Sequence, residues 1–580
     1  MFLRFSSPGP GAVCAGISAA WDTTRNSRSI VKQNTTLVFC HFMIGIVGDR
    51  NSAAEYDDDM RRAKTLGIDA FALNIGTDSY TDAQLNYAYE SAANNGMKVF
   101  ISFDFNWYHD TSDAAAVGQK IAQYGSKPAQ LRVDGKVFAS SFAGDQLNVP
   151  AMRSAAGVSV FWAPNIHPEY GTSFANVDGA LNWIAWDNDG NNKAPKPGAN
   201  VTVAQGDSRY VQALAGKPYI APVSPWFFTH FGPEVSYSKN WVFPGDLLWY
   251  HRWNEILALK PRFIEIITWN DYGESHYIGP LKSRHYDDGN SKWTNDMPHA
   301  GWLDMSKPYI AAFKAGALDV TPYITEDELV YWYRPTLRDI NCDATDTTMA
   351  DANNGSGNYF KGKPDGWQTM SDSVFVVSLL KTAGQVTVSS GGNTQTFNAP
   401  AGAAAWTARM GVGQQKFALQ RNGGTVMSAT SLKDVSNVCP CGLYNFNAYV
   451  GTLTCSGSGE ADPLDADGLY SLTIGLKVST CQAKPTLGSP LPGSCNGAAA
   501  PTATSRVSSL STSAPATRTT VSSTSIRTSA PATTSLACGR TITASSQIFP
   551  TNCLQPGDVW QGPAGQGKPD KCDGAAPCTP

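Results

Sequence analysis

The stretch "FIEIITWNDYGESHYIGP", residues 263–280, passes from an apolar run into two carboxylates three residues apart, Asp271 and Glu274. Around them stand Trp269, Tyr272, His276 and Tyr277. A near-continuous apolar run is what a strand buried on both faces carries, and such strands belong to parallel sheets. Working outward, the same unit recurs upstream. "LVFCHFMIG" (37–45), "AFALNIG" (70–76), "KVFISFDFNW" (98–107), "KVFASSF" (136–142), "VSVFWAPNI" (158–166), "ALNWIAWDN" (180–188) and "PYIAPVSPWF" (218–227) precede it in turn. Amphipathic helical segments such as "SAAEYDDDMRRAKTLG" and "TDAQLNYAYESAANNG" lie between several of them, and Gly67, Gly96, Gly125 and Gly216 stand where helices should stop. Eight strands alternating with helices predict an α/β fold, a (β/α)8 TIM-like barrel. A doubly wound open sheet is the rival, weakened because no G-x-G-x-x-G follows the first strand.

The beat ends near residue 318. Beyond it, "ELVYWYRP", "SVFVVSLL", "GQVTVSSGG", "KFALQRNGG" and "LYSLTIGLKVST" are short runs separated by turns, which predicts an all-β sandwich. Residues 486–536 read as a linker. From 496 onward they are almost wholly Ser, Thr, Ala and Pro and cannot bury a core. The tail, 537–580, holds Cys538, Cys553, Cys572 and Cys578 and needs disulfides to fold alone. The predicted organisation is a poorly ordered N-terminal segment (1–35), a catalytic barrel (36–318), a sandwich (319–485), the linker (486–536) and a short Cys-containing module (537–580).

The chain of 580 residues has 16% charged residues and a net charge of −4. It has no basic stripe and no apolar stretch of the roughly 18–20 residues that a membrane span needs, so neither nucleic acid nor membrane is an expected partner. It carries 12 cysteines. Those after residue 340 read as a disulfide framework, with a zinc site at the Cys439–Cys441 pair as an alternative. Sequons at Asn34, Asn200 and Asn354 permit N-glycosylation. The start lacks the apolar core of a signal peptide, yet cysteines and linker point to a secreted, extracellular or wall-bound protein, and a monomer is expected.

In a barrel, chemistry sits at the C-terminal ends of the strands. Those ends carry His41, then Asp104, Asn106 and Trp107, then Trp162 and His167, Trp186 and Asp187, Trp226, and the Asp271/Glu274 group with Trp269, Tyr272, His276 and Tyr277. Three carboxylates lined by indoles are the equipment for glycosidic hydrolysis, in which one acid protonates the leaving oxygen and a carboxylate activates water or attacks the anomeric carbon. Asp104, Asp271 and Glu274 are the catalytic candidates; the others are substrate-contact candidates, the aromatic faces stacking on pyranose rings. The run "YDDDMRR" (56–62) opens a helix and reads as a solvated face favoured by the helix dipole. An Asp104–His109 metal reading lacks an H-E-x-x-H, so no metal and no cofactor is expected. No G-x-S-x-G marks a serine esterase.

"VFCHFMIGIV", "ISFDFNWY", "FWAPNIHPEY", "APVSPWFFTHF", "TWNDYGESHYIGP" and "CGLYNFNAYVGT" resemble the fungal α-1,3-glucanases, or mutanases, of glycoside hydrolase family 71, over roughly residues 36–485. The resemblance implies a (β/α)8 barrel with an appended β-sandwich, and endo-hydrolysis of α-1,3-glucosidic bonds with inversion. It implies catalytic acids at Asp104, Asp271 and Glu274. Cys40 departs from the small residue the family commonly carries on its first strand, and is unpaired unless it meets Cys14. The tail is shorter than the α-glucan-binding module with which many relatives end. Other readings are a wall-polysaccharide-binding protein on a glycosidase scaffold and a glycosidase for another α-glucan.

Overall fold

The computed structural model describes residues 35–232, 239–346, 362–455, 457–458, 462, 464, 541–543 and 559–561. The first part is a mixed α/β unit. Its strands are β1 (Leu37–Met43), β2 (Ala70–Ile75), β3 (Lys98–Asp104), β4 (Arg132–Val133), β5 (Lys136–Phe142), β6 (Val160–Trp162), β7 (Ala180–Leu181), β8 (Tyr219–Val223), β9 (Phe228–His230), β10 (Asn240–Val242) and β11 (Phe263–Ile266). Its helices are α1 (Asp57–Thr65), α2 (Thr81–Asn95), α3 (Ala114–Gly125), α4 (Val149–Ala156), α5 (Val203–Leu214), α6 (Leu248–Leu259), α7 (Ser291–Thr294) and α8 (Ala300–Lys314). The main sheet runs β4-β5-β3-β2-β1-β11-β8-β7, with β6 also on β5, and every pairing but β4–β5 is parallel. The first and last strands of this unit, β1 and β11, are neighbours, so the sheet curls. An isolated parallel bridge joins Asn165, past β6, to Leu181 of β7. Among the described residues no helix is long and apolar enough to cross a membrane.

The expected strands at 158–166 and 180–188 are shorter than predicted, at Val160–Trp162 and Ala180–Leu181. Pro164 withholds a donor from the first ladder. In the second, the Asn182 carboxamide oxygen accepts the Ile184 N–H at 3.0 Å and turns the chain out of the sheet. Helix ends follow the local rules. Thr202 and Gln205 form a reciprocal capping box at the start of α5, and Gly96 closes α2 at φ 66°. The acidic start of α1 departs from the solvated-face expectation. Asp59 is 2% exposed, accepts the Trp269 indole N–H at 3.0 Å and pairs with Arg50 at 3.0 Å.

Beyond α8 the chain forms a β-sandwich. One sheet holds β12 (Glu328–Tyr333), β13 (Ser373–Leu380), β16 (Gly402–Arg409) and β19 (Tyr449–Thr454), with Gly457–Ser458 at its edge. The other holds β14 (Gly384–Ser390), β15 (Asn393–Ala399), β17 (Gln415–Arg421) and β18 (Gly424–Thr430). Inward residues such as Leu329, Tyr331, Val376, Val388, Phe417 and Leu419 form their common core. The aromatic seam to the first unit includes Trp226, Trp302 and Trp332, with ring centroids 6.2 and 5.8 Å apart along the series. Each buried aromatic removes roughly 150–250 Å² from water.

Cys342 is bonded to Cys439, and Cys441 and Cys455 are disulfide-bonded too, which replaces the zinc alternative. Cys40 is buried as a free thiol. The expected N-terminal segment, the linker and "LYSLTIGLKVST" lie outside the described residues. Of the tail, only Thr541–Thr543 and Val559–Gln561 are described, as a parallel pair.

Candidate active site

Asp104 ends β3, His41 lies on β1, and Asp271, Glu274 and His276 follow β11 after a cis peptide bond at Ile267–Thr268. All therefore stand at the C-terminal ends of parallel strands. The turn at 271–274 is pinned by its own side chains. The Asp271 N–H donates to Thr268 Oγ1 at 2.9 Å, and Asp271 Oδ1 accepts the Glu274 N–H at 3.0 Å. Gly273 is required inside it, because a Cβ there would sit 2.6 Å from the Phe231 ring.

The two carboxyls have different surroundings. Lys239 is ion-paired with Glu274 Oε1, and His276 Nε2 lies 3.0 Å from Glu274 Oε2. The same nitrogen is 3.9 Å from Asp271 Oδ2. Burial favours the protonated form of both acids. For Glu274 the Lys239 ammonium and His276 overcome burial and hold it down to about 2. For Asp271 burial prevails over His276, the negative Glu274 adds to it, and the carboxyl is raised above the usual range. Asp104 is raised as well, by burial, against the Asn106 N–H (2.9 Å to Oδ1) and the nearby His41. Two adjacent acids pushed apart in proton affinity make a proton donor beside a standing carboxylate.

The imidazole of His276 lies 5.4 Å from Trp186, 5.7 Å from Phe227 and 6.3 Å from Trp183, by ring centroids. Trp183 also stands edge-on to His41 at 4.7 Å, so its indole bridges the two histidines. The carboxyl side chains remain reachable, at 16% exposure for Asp271 and 19% for Glu274. Trp107 is 53% exposed and lies over Gly76 beside the β3 end, and Asn106 is exposed with it.

Several expected substrate contacts are core instead. Trp162, Trp186, Trp226, Trp269, Tyr272 and Tyr277 are at most 1% exposed and offer no free ring face. Their polar ends are spent on the protein: Trp186 donates to Trp226 O (3.0 Å), Trp226 to Phe446 O (2.9 Å) and Tyr272 to Pro280 O (2.8 Å). Asp187 accepts the Val203 N–H at 3.0 Å and serves the start of α5. His167 is tied to Asp145 at 2.8 Å, and His109 to Asp113 at 3.3 Å rather than to Asp104. His41 and His276 are themselves fully buried, at the floor of the group.

Sequence reasoning missed Lys239, for which no local pattern exists. It did not single out Trp183, a core indole whose ring lies beside both histidines. It missed Asp288, whose Oδ2 lies 3.3 Å from the Cβ position of Gly273 and whose carboxyl burial pushes up to about 7. It also missed Glu265, although an acid inside the apolar run "FIEII" is a signal in the sequence. Donor atoms of Asp271, Glu274 and His276 lie within 4.8 Å of one another and are the group among the described residues able to hold a metal ion. Lys239 already supplies a positive charge there.

Adjacent carboxyl groups in unequal settings at the mouth of a parallel sheet are the equipment of a glycoside hydrolase. The profile of glycosyl hydrolase family 71 matches residues 34–462, and the chain belongs to that family. A mutanase of Penicillium rubens is 44% identical over 428 residues, covering 73% of this chain and 90% of that protein. A glucan endo-1,3-alpha-glucosidase of Schizosaccharomyces pombe is 35% identical over 438 residues, covering 72% and 94%. An ascus wall endo-1,3-alpha-glucanase of the same yeast is 26% identical over 392 residues, covering 63% and 84%.

Proposed function

We propose that this chain is a secreted, monomeric enzyme that cuts α-1,3-glucosidic bonds within wall α-1,3-glucan. The observation that carries the chemistry is the unequal setting of two adjacent acids, with Lys239 and His276 bound to Glu274 while burial favours the protonated form of Asp271; the names of the relatives supply the linkage. Asp271 protonates the leaving oxygen, and the Glu274 carboxylate, held by Lys239 and His276, keeps that proton on Asp271. Oxygen atoms of the two lie within 4.8 Å. That is closer than the roughly 6.5–9.5 Å that leaves room for water in an inverting pair. Inversion therefore gives the water to Asp104, on the neighbouring part of the rim. We infer also that the curled sheet is a (β/α)8 barrel closed between β6 and β7, in support of which Asn165 bridges Leu181. The catalytic unit is taken as 36–318 and the sandwich as 319–485.

The test is sugar release from insoluble α-1,3-glucan, with α-1,4- and β-1,3-glucans as controls, and NMR of the first-formed anomer. Release from the first polymer alone, as the β-anomer, supports the reading. Release from a control polymer instead removes the linkage, and an α-anomer removes inversion.

Two substitutions probe the parts. Lys239→Met removes the charge that keeps Glu274 ionised, so the Glu274 pKa rises and the acid limb of the kcat/KM profile moves to higher pH; an unmoved limb refutes the assigned role of Lys239. Trp107→Ala removes the exposed indole, with an expected loss of about 1 kcal/mol of binding, read as a several-fold rise in KM. Its melting temperature should stay unchanged, since little of that ring is packed. An unaltered KM takes Trp107 out of the substrate path.

A further inference from the structure

Below the acids, inside the curled sheet, lies a buried histidine–glutamate pair that none of the roles above uses. His41 Nδ1 is 2.7 Å from Glu265 Oε1, and both side chains are completely buried. The pair arises from register. Phe39 is opposite Glu265 on the adjacent parallel strand, and His41 is two residues further along β1 on the same inward face. Beneath it is an aromatic layer in which Phe39 meets Phe100, Phe138 and Phe263 at 5.0–5.4 Å. His41 Nε2 and Glu265 Oε2 have no hydrogen-bond partner and are buried, as is the Ser102 hydroxyl two residues before Asp104 on β3. A buried polar atom without a protein partner is costly and calls for an explanation.

We propose that Glu265 is a positioning residue for the hydrolytic site: it accepts the His41 Nδ1–H and fixes the orientation of the imidazole that acts on Asp104. A carboxylate on one ring nitrogen sets what the other nitrogen presents. His41 is close enough to Asp104 for its charge to favour the carboxylate, against the burial that opposes it. Trp183, edge-on at 4.7 Å, restrains the ring from the other side. The remaining titratable groups around the pair are the Cys40 thiol, which feels Glu265, and His276 beyond Trp183. The inference rests on the proposed role of Asp104 as the water-activating carboxylate.

The experiment compares wild type, Glu265→Gln, His41→Gln and the double variant on α-1,3-glucan across pH. Glu265→Gln is expected to lower kcat by roughly 10- to 100-fold with KM within about twofold. Without the anion the ring is no longer held in place, Asp104 loses the neighbour that favours its carboxylate, and it then needs a higher pH to ionise. The acid limb therefore moves up. The double variant should be no slower than His41→Gln alone, because the two act as one unit. A Glu265→Gln profile with the wild-type limb, or losses that multiply in the double variant, overturns the proposal. Long-range proton–nitrogen NMR of wild type labelled in histidine gives a readout independent of substrate and of variant folding. His41 should carry its proton on Nδ1; a bare Nδ1 overturns the proposal. If wild type releases no sugar, the α-1,3-glucan reading fails, and the NMR result still decides the pair.

Discussion

Asp271→Asn should lower the turnover of α-1,3-glucan by roughly 10²–10⁴-fold while leaving the fold and the binding of glucan in place. The carboxamide retains an oxygen for the Glu274 N–H that now binds Asp271 Oδ1 at 3.0 Å, so the turn survives. It has no acidic proton to give the leaving sugar oxygen. The loss should be smallest for a substrate whose leaving group needs no protonation, such as an activated aryl or fluoride glucoside. That contrast separates a lost proton donor from a misfolded site. Glu274→Gln removes the ionic partner of Lys239 and the charge that keeps the proton on Asp271, so it too should lose more on the polymer than on activated substrates. Asp271→Asn retaining most of its activity on the polymer would take Asp271 out of the mechanism.

The largest loss of stability is expected at Arg252, far from the chemistry. Its guanidinium is fully buried between α5, β8 and α6 and makes two bonds to Asp207, at 2.6 and 2.9 Å. Its Nε donates to Pro222 O at 2.8 Å, and Tyr219 completes the group by donating to Asp207 at 2.6 Å. Arg252→Met fits the space but leaves the Asp207 carboxylate buried with a phenol as its remaining side-chain donor. Breaking one side of such a pair costs about 3–5 kcal/mol. Adding Asp207→Leu should recover part of it, because the stranded charge goes too. The denaturant midpoints of the two variants check both statements. A single variant within about 1 kcal/mol of wild type means the pair is not held as described.

The parallel strands were legible because strands buried on both faces have a composition found in little else. The candidate acids were legible for a related reason: Asp104 and Asp271 are charges at the ends of apolar runs, where water cannot explain them. The aromatic residues were not. A tryptophan that packs a core and one that stacks on a sugar look alike in sequence, and Trp107 and Trp226 differ only in what covers them. Trp226 is covered by the sandwich, through Phe446, 220 residues away. Asp59 was misread because the first turn of a helix is a good place for an acid in water, and nothing local announces that Arg50 and Trp269 will close over it. Lys239 was invisible since its role exists only once β10 meets the turn after β11.

The backbone that carries Asp271 and Glu274 is clasped from two sides. Asp59 of α1 takes the Trp269 indole. From the sandwich, Asn447 donates to the Tyr277 hydroxyl at 3.1 Å, while His299 spans from Tyr277 O (2.8 Å) to Ala448 O (2.9 Å). The sandwich is thus part of the mould in which the reactive turn is cast, and a chain cut after α8 would lose one jaw of the clasp. Grafting this turn's specificity onto another scaffold means carrying residues 445–448 with it, and drift in that short loop can retune a reaction whose acids it never touches.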